Sequence, residues 1–549
     1  MNLSGKVGGL KSGQVKDLER LGRRRVKSDR VVSPEIAAAM ARLSTQIRRQ
    51  IGLLIGRDGT VYAVFVGDER EIILPDIAHF RFGKTALRGV RFVHTHFRNL
   101  PLTPDDLNDL AMLRFDLVAA IGLLPEGGVG SISVAHLLPK NPTHKIYEVL
   151  PPVPLHQTPH PLSEFLSALE TELDGVALHQ VEKRRERVVL VSASMYPRLD
   201  QESTLEELAD LARSANLVPL DRMVQRLKKN HPKYLVGEGK LKEIVMTALQ
   251  QRADLLIFDQ QLSPLQVREI GRMTEMKVLD RTQLILDIFA QRAKTREAKV
   301  QVELAQLKYR LPRLSERSTS LSRLTGGIGG RGPGETRLEI DLRRARARMA
   351  ALEKEHEALF KARDVRRSKR TDQNLPILSI VGYTNAGKST LLNTLTHSQV
   401  ETGSALFETL DTTTRRLRFP KEREVILTDT VGFIQSLPND LLGAFRSTLD
   451  ELRDAHLLIH LVDVSHTRFI AHIQAVETLL AELDIAALPR LLVFNKIDRC
   501  DPTACAAWCA RYRAIPITAI QPESLAPLMF EIGRRLWPED ALNHANVST

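Results

Sequence analysis

Alternating strand-like and helix-like stretches predict a multidomain α/β protein, and three observations carry the expectation. The apolar run LPILSIVG, residues 375–382, leads through a short loop into the helix-forming TLLNTL. Between Arg187 and Asp280, the strand-like runs RVVLVSAS, DLLIFD and KVLD alternate with the helical LEELADLARSAN and KLKEIVMTALQQ and a helix from Ser263, the pattern of a small parallel sheet. Between these regions, apolar residues recur at steps of three, four or seven, from Leu286 to Leu314 and again from Leu338 to Leu359, which predicts two long helices.

At 549 residues the chain exceeds what one hydrophobic core supports. The expected organisation is an extra N-terminal α+β domain with its linker over 1–183, a small parallel α/β domain over 184–283, an antiparallel helical hairpin over 284–372, a nucleotide-loop domain over 373–540 and a tail over 541–549. With 43% hydrophobic and 26% charged residues, the composition excludes a disordered or fibrous chain. No apolar run reaches the ~18 residues that crossing a bilayer needs, and the start carries no secretory stretch, so the expected location is cytoplasmic, as a monomer. Cys500, Cys505 and Cys509 crowd together, but the nearest histidine, His466, is too distant for finger-like zinc spacing, so buried or idle thiols are expected.

In the N-terminal region, IGLLIGRDGTVYAVFV reads as two strands around a turn at Arg57, Asp58 and Gly59. The strand VRFVHTH follows, then a helix from Thr103 and strands near 115–122 and 131–138. The proline-rich stretch 142–161 breaks the periodicity and reads as a boundary.

The net charge of +12 is unevenly placed: residues 284–372 hold 22 Lys or Arg against 12 Asp or Glu. Two successive apolar seams, each on a helix of roughly 40 Å at 1.5 Å per residue, bury each other most simply as an antiparallel hairpin. Between them runs SERSTSLSRLTGGIGGRGPGETR, with Gly326, Gly327, Gly329, Gly330, Gly332 and Gly334 and the cations Arg317, Arg323, Arg331 and Arg337. Glycine admits close backbone approach and arginine pairs phosphates in bidentate fashion, so this tip suits folded RNA better than it suits a simple connector.

The nucleotide motifs come in the required order. Gly382, Tyr383, Thr384, Asn385, Ala386, Gly387, Lys388 and Ser389 match GxxxxGKS between a strand and a helix, so backbone amides and the Lys388 ammonium can meet phosphates and Ser389 can ligate magnesium. Asp429, Thr430, Val431 and Gly432 follow EVILT as DxxG, with Asp429 expected at the magnesium shell and Gly432 at the γ phosphate. In FETLDTTTRR, Thr409 is the expected second magnesium hydroxyl, with Thr412 or Thr413 as fallback; Phe407, Glu408, Leu410 and Asp411 flank it and Thr390 follows Ser389 among the expected nucleotide contacts. Asn495, Lys496, Ile497 and Asp498 end the strand RLLVFN; the Asp498 carboxylate can accept the N1 and N2 protons of guanine, and Thr518 and Ala519 take the place of a base-supporting loop. The predicted chemistry is GTP hydrolysis to GDP and phosphate, with Lys388, Thr409, Gly432 and Asn385 as its catalytic set. Phe433 follows DxxG where a water-orienting glutamine would serve, so intrinsic hydrolysis is expected to be slow. Asn385 stands where related GTPases use asparagine to hold potassium, and potassium assistance is set beside a plain loop-bracing role.

These residues resemble the HflX family of the Obg-HflX group of translational GTPases over about residues 187–540. KYLVGEGKLKEI, DLLIFDQQLSP, GGIGGRGPGETRLEID, GYTNAGKSTLLNTLT, FETLDTTTRR and DTVGFIQSLP carry the likeness. One departure is Thr412, where relatives often have proline. The resemblance implies a GTP-dependent factor that binds the large ribosomal subunit and its rRNA, directs the hairpin loop to the peptidyl transferase region, and splits stalled or idle 70S ribosomes. A ribosome-assembly or RNA-binding switch that uses GTP only to control binding is the alternative. Little chain follows Leu536, so no extended C-terminal domain is expected.

The first ~183 residues fall outside that likeness. His94 and His96 point to one face of VRFVHTH, and Thr103 and Asp106 follow as TxxD, which resembles the HxH and SxxD pattern of JAB/MPN zinc hydrolases. The spacing is one residue short, Phe97 replaces the usual proline, and Glu69 and Glu71 both stand as the upstream glutamate. A degenerate docking domain is therefore favoured over a working metal site.

Overall fold

The computed structural model describes residues 2–549 except 73, 75–86, 140, 144, 160, 176–184, 275, 325–336, 372–374, 397–412, 420–422, 430–431, 434–449 and 539–549; at 2, 174–175, 314–324, 337–339, 360, 362–371, 413–414 and 450–451 only the backbone is described. The chain forms two compact units, one of residues 1–201, 218–257 and 266–278, the other of 202–217, 258–265 and 279–549.

The N-terminal sheet contains β1 (Asn2–Gly5), β2 (Ile51–Gly56), β3 (Val61–Val66), β4 (Val90–His96), β5 (Val118–Leu123), β6 (Val129–Leu137) and β7 (Tyr147–Val149), in the order β1-β3-β2-β4-β5-β6-β7. Its helices are α1 (Ser12–Gly22), α2 (Pro34–Ile47), α3 (Pro104–Leu113) and α4 (Leu162–Gly175). Strand alternation sends Leu53 and Ile55 to one core with Leu18, Met40 and Leu166, while Leu54 joins Phe65, Phe92 and Leu110 in the other. The expected hairpin is present, and Gly59 at its turn has φ 84°, where a Cβ would lie 1.8 Å from the Val26 carbonyl. Arg57 ties that turn to Asp116 at 2.6 Å and to Glu170 at 2.8 Å. The proline-rich stretch is more than a boundary: it supplies β7, antiparallel to β6 at the edge of the sheet, a position that proline-containing chain tolerates.

The second sheet has the order β11-β10-β8-β9, from β8 (Arg187–Ser194), β9 (Val218–Arg226), β10 (Leu255–Phe258) and β11 (Lys277–Asp280), accompanied by α5 (Arg198–Ser214), α6 (Glu238–Gln250) and α7 (Pro264–Met273). The strand β9 was not foreseen, because Pro219, Asp221 and Arg222 interrupt its apolar pattern; it pairs parallel to β8 at the sheet edge.

The stripe from Leu286 to Leu314 is two helices rather than one, α8 (Arg281–Arg292) and α9 (Arg296–Leu324). Ala293 is extended at φ −62° and ψ 108°, and the Thr295 hydroxyl accepts from the Ala298 amide at 3.2 Å, a capping contact that restarts the helix. Opposite α9 runs α10 (Arg337–Thr371), joined to it by Arg296–Glu355 at 2.6 Å, Arg348–Glu303 at 2.7 Å and Lys308–Glu353 at 3.1 Å. The helical hairpin is thus present, with Leu342 and Leu352 buried in it. Because α9 continues to Leu324, Arg317 and Arg323 lie on helix, and Arg337 opens α10; Arg331 and all six tip glycines lie outside the described residues.

The last sheet has the order β13-β14-β12-β15-β16-β17, from β12 (Ile377–Gly382), β13 (Thr413–Phe419), β14 (Arg423–Asp429), β15 (Leu457–Asp463), β16 (Arg490–Asn495) and β17 (Ile515–Pro516). Only β13 runs antiparallel to its neighbour; the other pairs are parallel, so several strands end at the same edge. Its helices include α11 (Lys388–Thr396), α12 (Phe469–Glu482), α13 (Pro502–Tyr512) and α14 (Ala526–Leu536). Among the described residues no helix is long and apolar enough to cross a membrane.

Candidate nucleotide-binding site

The carboxyl ends of β12, β14 and β16 deliver the glycine loop, Asp429 and Asn495 to one edge of the sheet, where ligands bind in open parallel sheets. Gly382 is the last residue of β12, and only glycine fits there because a Cβ would sit 2.2 Å from the Leu461 carbonyl. Asn385 turns the loop at φ 61° and Gly387 at φ 95°, and a Cβ on Gly387 would stand 2.4 Å from Asn495 Nδ2.

Lys388 opens α11 and folds its ammonium back onto the loop, donating to the carbonyls of Gly382 at 3.1 Å and Tyr383 at 2.8 Å. Burial lowers its pKa to about 8, against the attraction of Asp429. A buried cation at the mouth of a helix N-terminus is poised for phosphate oxygens. Ser389 donates to Asp429 Oδ2 at 2.9 Å, which brings two oxygens suited to magnesium side by side. Gly432 lies against the same point: a Cβ would be 2.8 Å from Thr384 Cγ2 and 3.0 Å from Lys388 Nζ. Phe433 is buried, its carbonyl accepting from the Thr384 amide at 2.7 Å and its amide donating to Gly382 at 3.1 Å. Thr390 lies on α11 beside Ser389. Phe407, Glu408, Thr409, Leu410, Asp411, Thr412, Thr430 and Val431 lie outside the described residues, and Thr413 opens β13.

Asn495 braces the site from behind, donating to Ala386 O at 2.8 Å and accepting from the Ala519 amide at 2.9 Å. Lys496 adopts φ 60° and binds Asp463 at 2.6 Å and the Asn385 carbonyl at 2.8 Å. Asp498 is held by the Thr518 hydroxyl at 3.3 Å yet stays exposed, so its carboxylate faces outward for a base. Asparagine and lysine thus brace the loops from behind, while Asp498 is the exposed member of the motif.

Sequence reading missed the role of Tyr383. Its hydroxyl donates to Glu207 at 2.8 Å, and its ring stacks on His472 with centroids 3.8 Å apart and an interplanar angle of 6°. Burial lowers the His472 pKa to about 4, with His466 and Arg468 adding to it, so the stacked imidazole is neutral. Glu207 in turn pairs with the buried Arg281 at 3.0 Å, which also holds Asp259 at 2.9 Å. The neighbouring Asp280 is fully buried and caps α8; it accepts from Leu262, Gln283, Tyr309 and Arg313, the last at 2.6 Å.

A phosphate-loop strand–turn–helix, a DxxG strand end and an NKxD base reader on one parallel sheet define a P-loop GTPase. Family models agree in order along the chain: "GTP-binding GTPase N-terminal" matches residues 202–290, "GTP-binding GTPase Middle Region" 292–370 and "50S ribosome-binding GTPase" 377–496. The chain belongs to the HflX family of GTPases. It is 47% identical over 324 residues to GTPase HflX of Caldanaerobacter subterraneus subsp. tengcongensis, spanning 59% of this chain and 75% of that protein. Against GTPase HflX of Escherichia coli it is 47% identical over 313 residues, 57% of this chain and 73% of that one. Among solved structures it resembles a GTP-binding protein from Sulfolobus solfataricus in complex with GDP, at 26% identity and TM-score 0.36, covering 63% of this chain and 99% of that chain. None of the three family models reaches residues 1–201.

Proposed function

We propose that this GTPase binds the large ribosomal subunit when loaded with GTP, grips its rRNA with the hairpin tip, and splits stalled or idle 70S ribosomes in the cytoplasm, acting as a monomer. The carrying observation is a pair of buried polar clusters on adjacent residues: Tyr383 of the phosphate loop bonds Glu207, which pairs with Arg281, and Asp280, the residue before Arg281 in the chain, holds Tyr309 and Arg313 on α9. Chains of packed and hydrogen-bonded groups with two arrangements are the physical means by which one site biases another. In this reading a change in the loop on binding γ phosphate is passed along the backbone from Arg281 to Asp280 and so to the base of the basic hairpin.

In this reading Lys388 and the loop amides hold the phosphates, while Ser389, Asp429 and Thr409 complete a magnesium shell. Gly432 senses the γ phosphate, and Asp498 selects guanine. Magnesium supplies charge neutralisation at the β and γ oxygens when bound. Asn385 is the residue that would steady a potassium ion beside them. A buried phenyl ring at 433 cannot orient water, so rapid turnover requires the ribosome to complete the site.

Sucrose-gradient profiles test it. Purified 70S particles incubated with the protein and a non-hydrolysable GTP analogue should convert to subunits. If the particles stay intact while the protein still binds them, the chain is a binding switch of the ribosome-assembly kind instead.

A further inference from the structure

The N-terminal domain brings two imidazoles and a carboxylate to one point. His94 and His96 are two apart on β4, so both rings leave the same face of the strand. Thr103 caps α3, and the capping box turns Asp106 back toward that face. The two Nε2 atoms are 2.9 Å apart, Asp106 Oδ1 is 3.1 Å from His94 Nε2, and Asp106 Oδ2 is 3.5 Å from His96 Nε2. Both rings are buried, at 1% and 3% exposure.

The protonation pattern follows from the partners. His96 Nδ1 lies 2.9 Å from the Pro101 carbonyl, which can only accept, so Nδ1 carries the proton. Its Nε2 is then a lone pair aimed at His94. Asp106 adds a second acceptor, already fixed by the Thr103 hydroxyl and amide at 2.7 Å each. One proton on His94 Nε2 would have to serve both neighbours at once, while His94 Nδ1 has no partner among the described residues. Hydrogen bonding alone leaves this buried group under-supplied with donors.

A cation resolves the conflict. Ligand atoms placed tetrahedrally at ~2.0–2.1 Å from zinc stand about 3.4 Å from one another. The separations of 2.9 Å between the two Nε2 atoms and 3.1 Å from His94 Nε2 to Asp106 Oδ1 lie close to that spacing, and one ligand atom from each of the three residues falls within 4.8 Å of the others. Two imidazoles with one carboxylate suit zinc rather than magnesium or calcium, which take all-oxygen shells. The geometry points to a zinc site held by His94 Nε2, His96 Nε2 and Asp106, with a fourth position open to water or a ligand oxygen. The bound ion clips the start of α3 to β4 and thereby stabilises the N-terminal domain.

The experiment uses the full chain, stripped with chelator and dialysed against zinc chloride. One zinc per chain is expected by elemental analysis, with a raised melting temperature. Cobalt(II) should give the visible bands of a four-coordinate nitrogen and oxygen site, with no thiolate charge transfer. His96→Gln and Asp106→Asn should each lose the metal while GDP binding at the other end of the chain is retained. The site is overturned if the stripped wild-type chain takes up no stoichiometric zinc. It is equally overturned if cobalt reports thiolate ligation, or if uptake survives both substitutions and disappears in Cys505→Ser with Cys509→Ser, whose sulfurs lie 4.0 Å apart. The wild-type cobalt spectrum decides the matter even if a substituted chain fails to fold.

Discussion

The hydroxyl of Tyr383, a residue of the phosphate loop, donates to the Glu207 carboxylate at 2.8 Å across 176 positions of sequence. Ring stacking on His472 and the carbonyl's contact with Lys388 Nζ hold the same residue from two further sides. Tyr383→Phe keeps the stack and removes only the hydrogen bond, a loss of about 1 kcal/mol or roughly fivefold. GDP affinity should stay within that factor of wild type, while stimulation of GTP hydrolysis by large subunits should fall further. Equal stimulation in both proteins would show that Tyr383 carries no signal.

Lys388 predicts a pH dependence. Its pKa is lowered to about 8 by burial, and phosphates restore the charged form on binding. Because the folded value lies below the ordinary 10.5, charging the free site costs least as pH falls, and above pH 8 binding must recruit a proton. GDP affinity should therefore weaken about tenfold between pH 7 and pH 9, measured by equilibrium titration at fixed salt. A flat profile would place the ammonium elsewhere.

Gly387→Ala should weaken nucleotide binding by roughly 5- to 150-fold without unfolding the sheet. The added carbon meets Asn495 Nδ2 at 2.4 Å in a backbone at φ 95°, a strain of about 1–3 kcal/mol applied directly to the phosphate loop. Circular dichroism and nucleotide titration on the same sample separate the two effects.

Asp498→Asn should exchange base preference. An exposed carboxylate accepts two protons from guanine, whereas an amide offers one donor and one acceptor and suits a base with a carbonyl at position 2. Competition between GTP and XTP for the variant reads this directly; unchanged GTP preference would remove Asp498 from base recognition.

Potassium should accelerate turnover over sodium at equal ionic strength, because Asn385 is exposed at the loop crest with its backbone fixed at φ 61°. Asn385→Ala should erase the difference. Equal rates in both salts for wild type would leave Asn385 a bracing residue only.

The phosphate loop was legible because its chemistry demands glycine and lysine at fixed spacing, and the same holds for Asp429 and Asn495 at strand ends. The hairpin was legible from its two seams, since helical periodicity survives wherever apolar side chains must meet. The restart at Thr295 was not, because Ala293 and Thr295 carry no obvious breaker and the capping contact is a matter of geometry. Nor was β9, an edge strand with charges and a proline that need no apolar alternation. Long-range polar contacts such as Tyr383–Glu207 leave no local pattern at all, since neither residue type is unusual where it stands. The grouping of His94, His96 and Asp106 was visible in the HxH and TxxD pattern; what the pattern could not give is the capping contact at Thr103 that turns the carboxylate toward the histidines.

Cosedimentation of the full chain with purified large ribosomal subunits, in GTP analogue, in GDP and without nucleotide, addresses the link between loop and hairpin most directly. Binding that is strong with the analogue, weak with GDP, and lost when residues 325–336 are deleted is the predicted result. Affinity for the subunit that is the same in all three nucleotide states, or unaffected by the deletion, would contradict it.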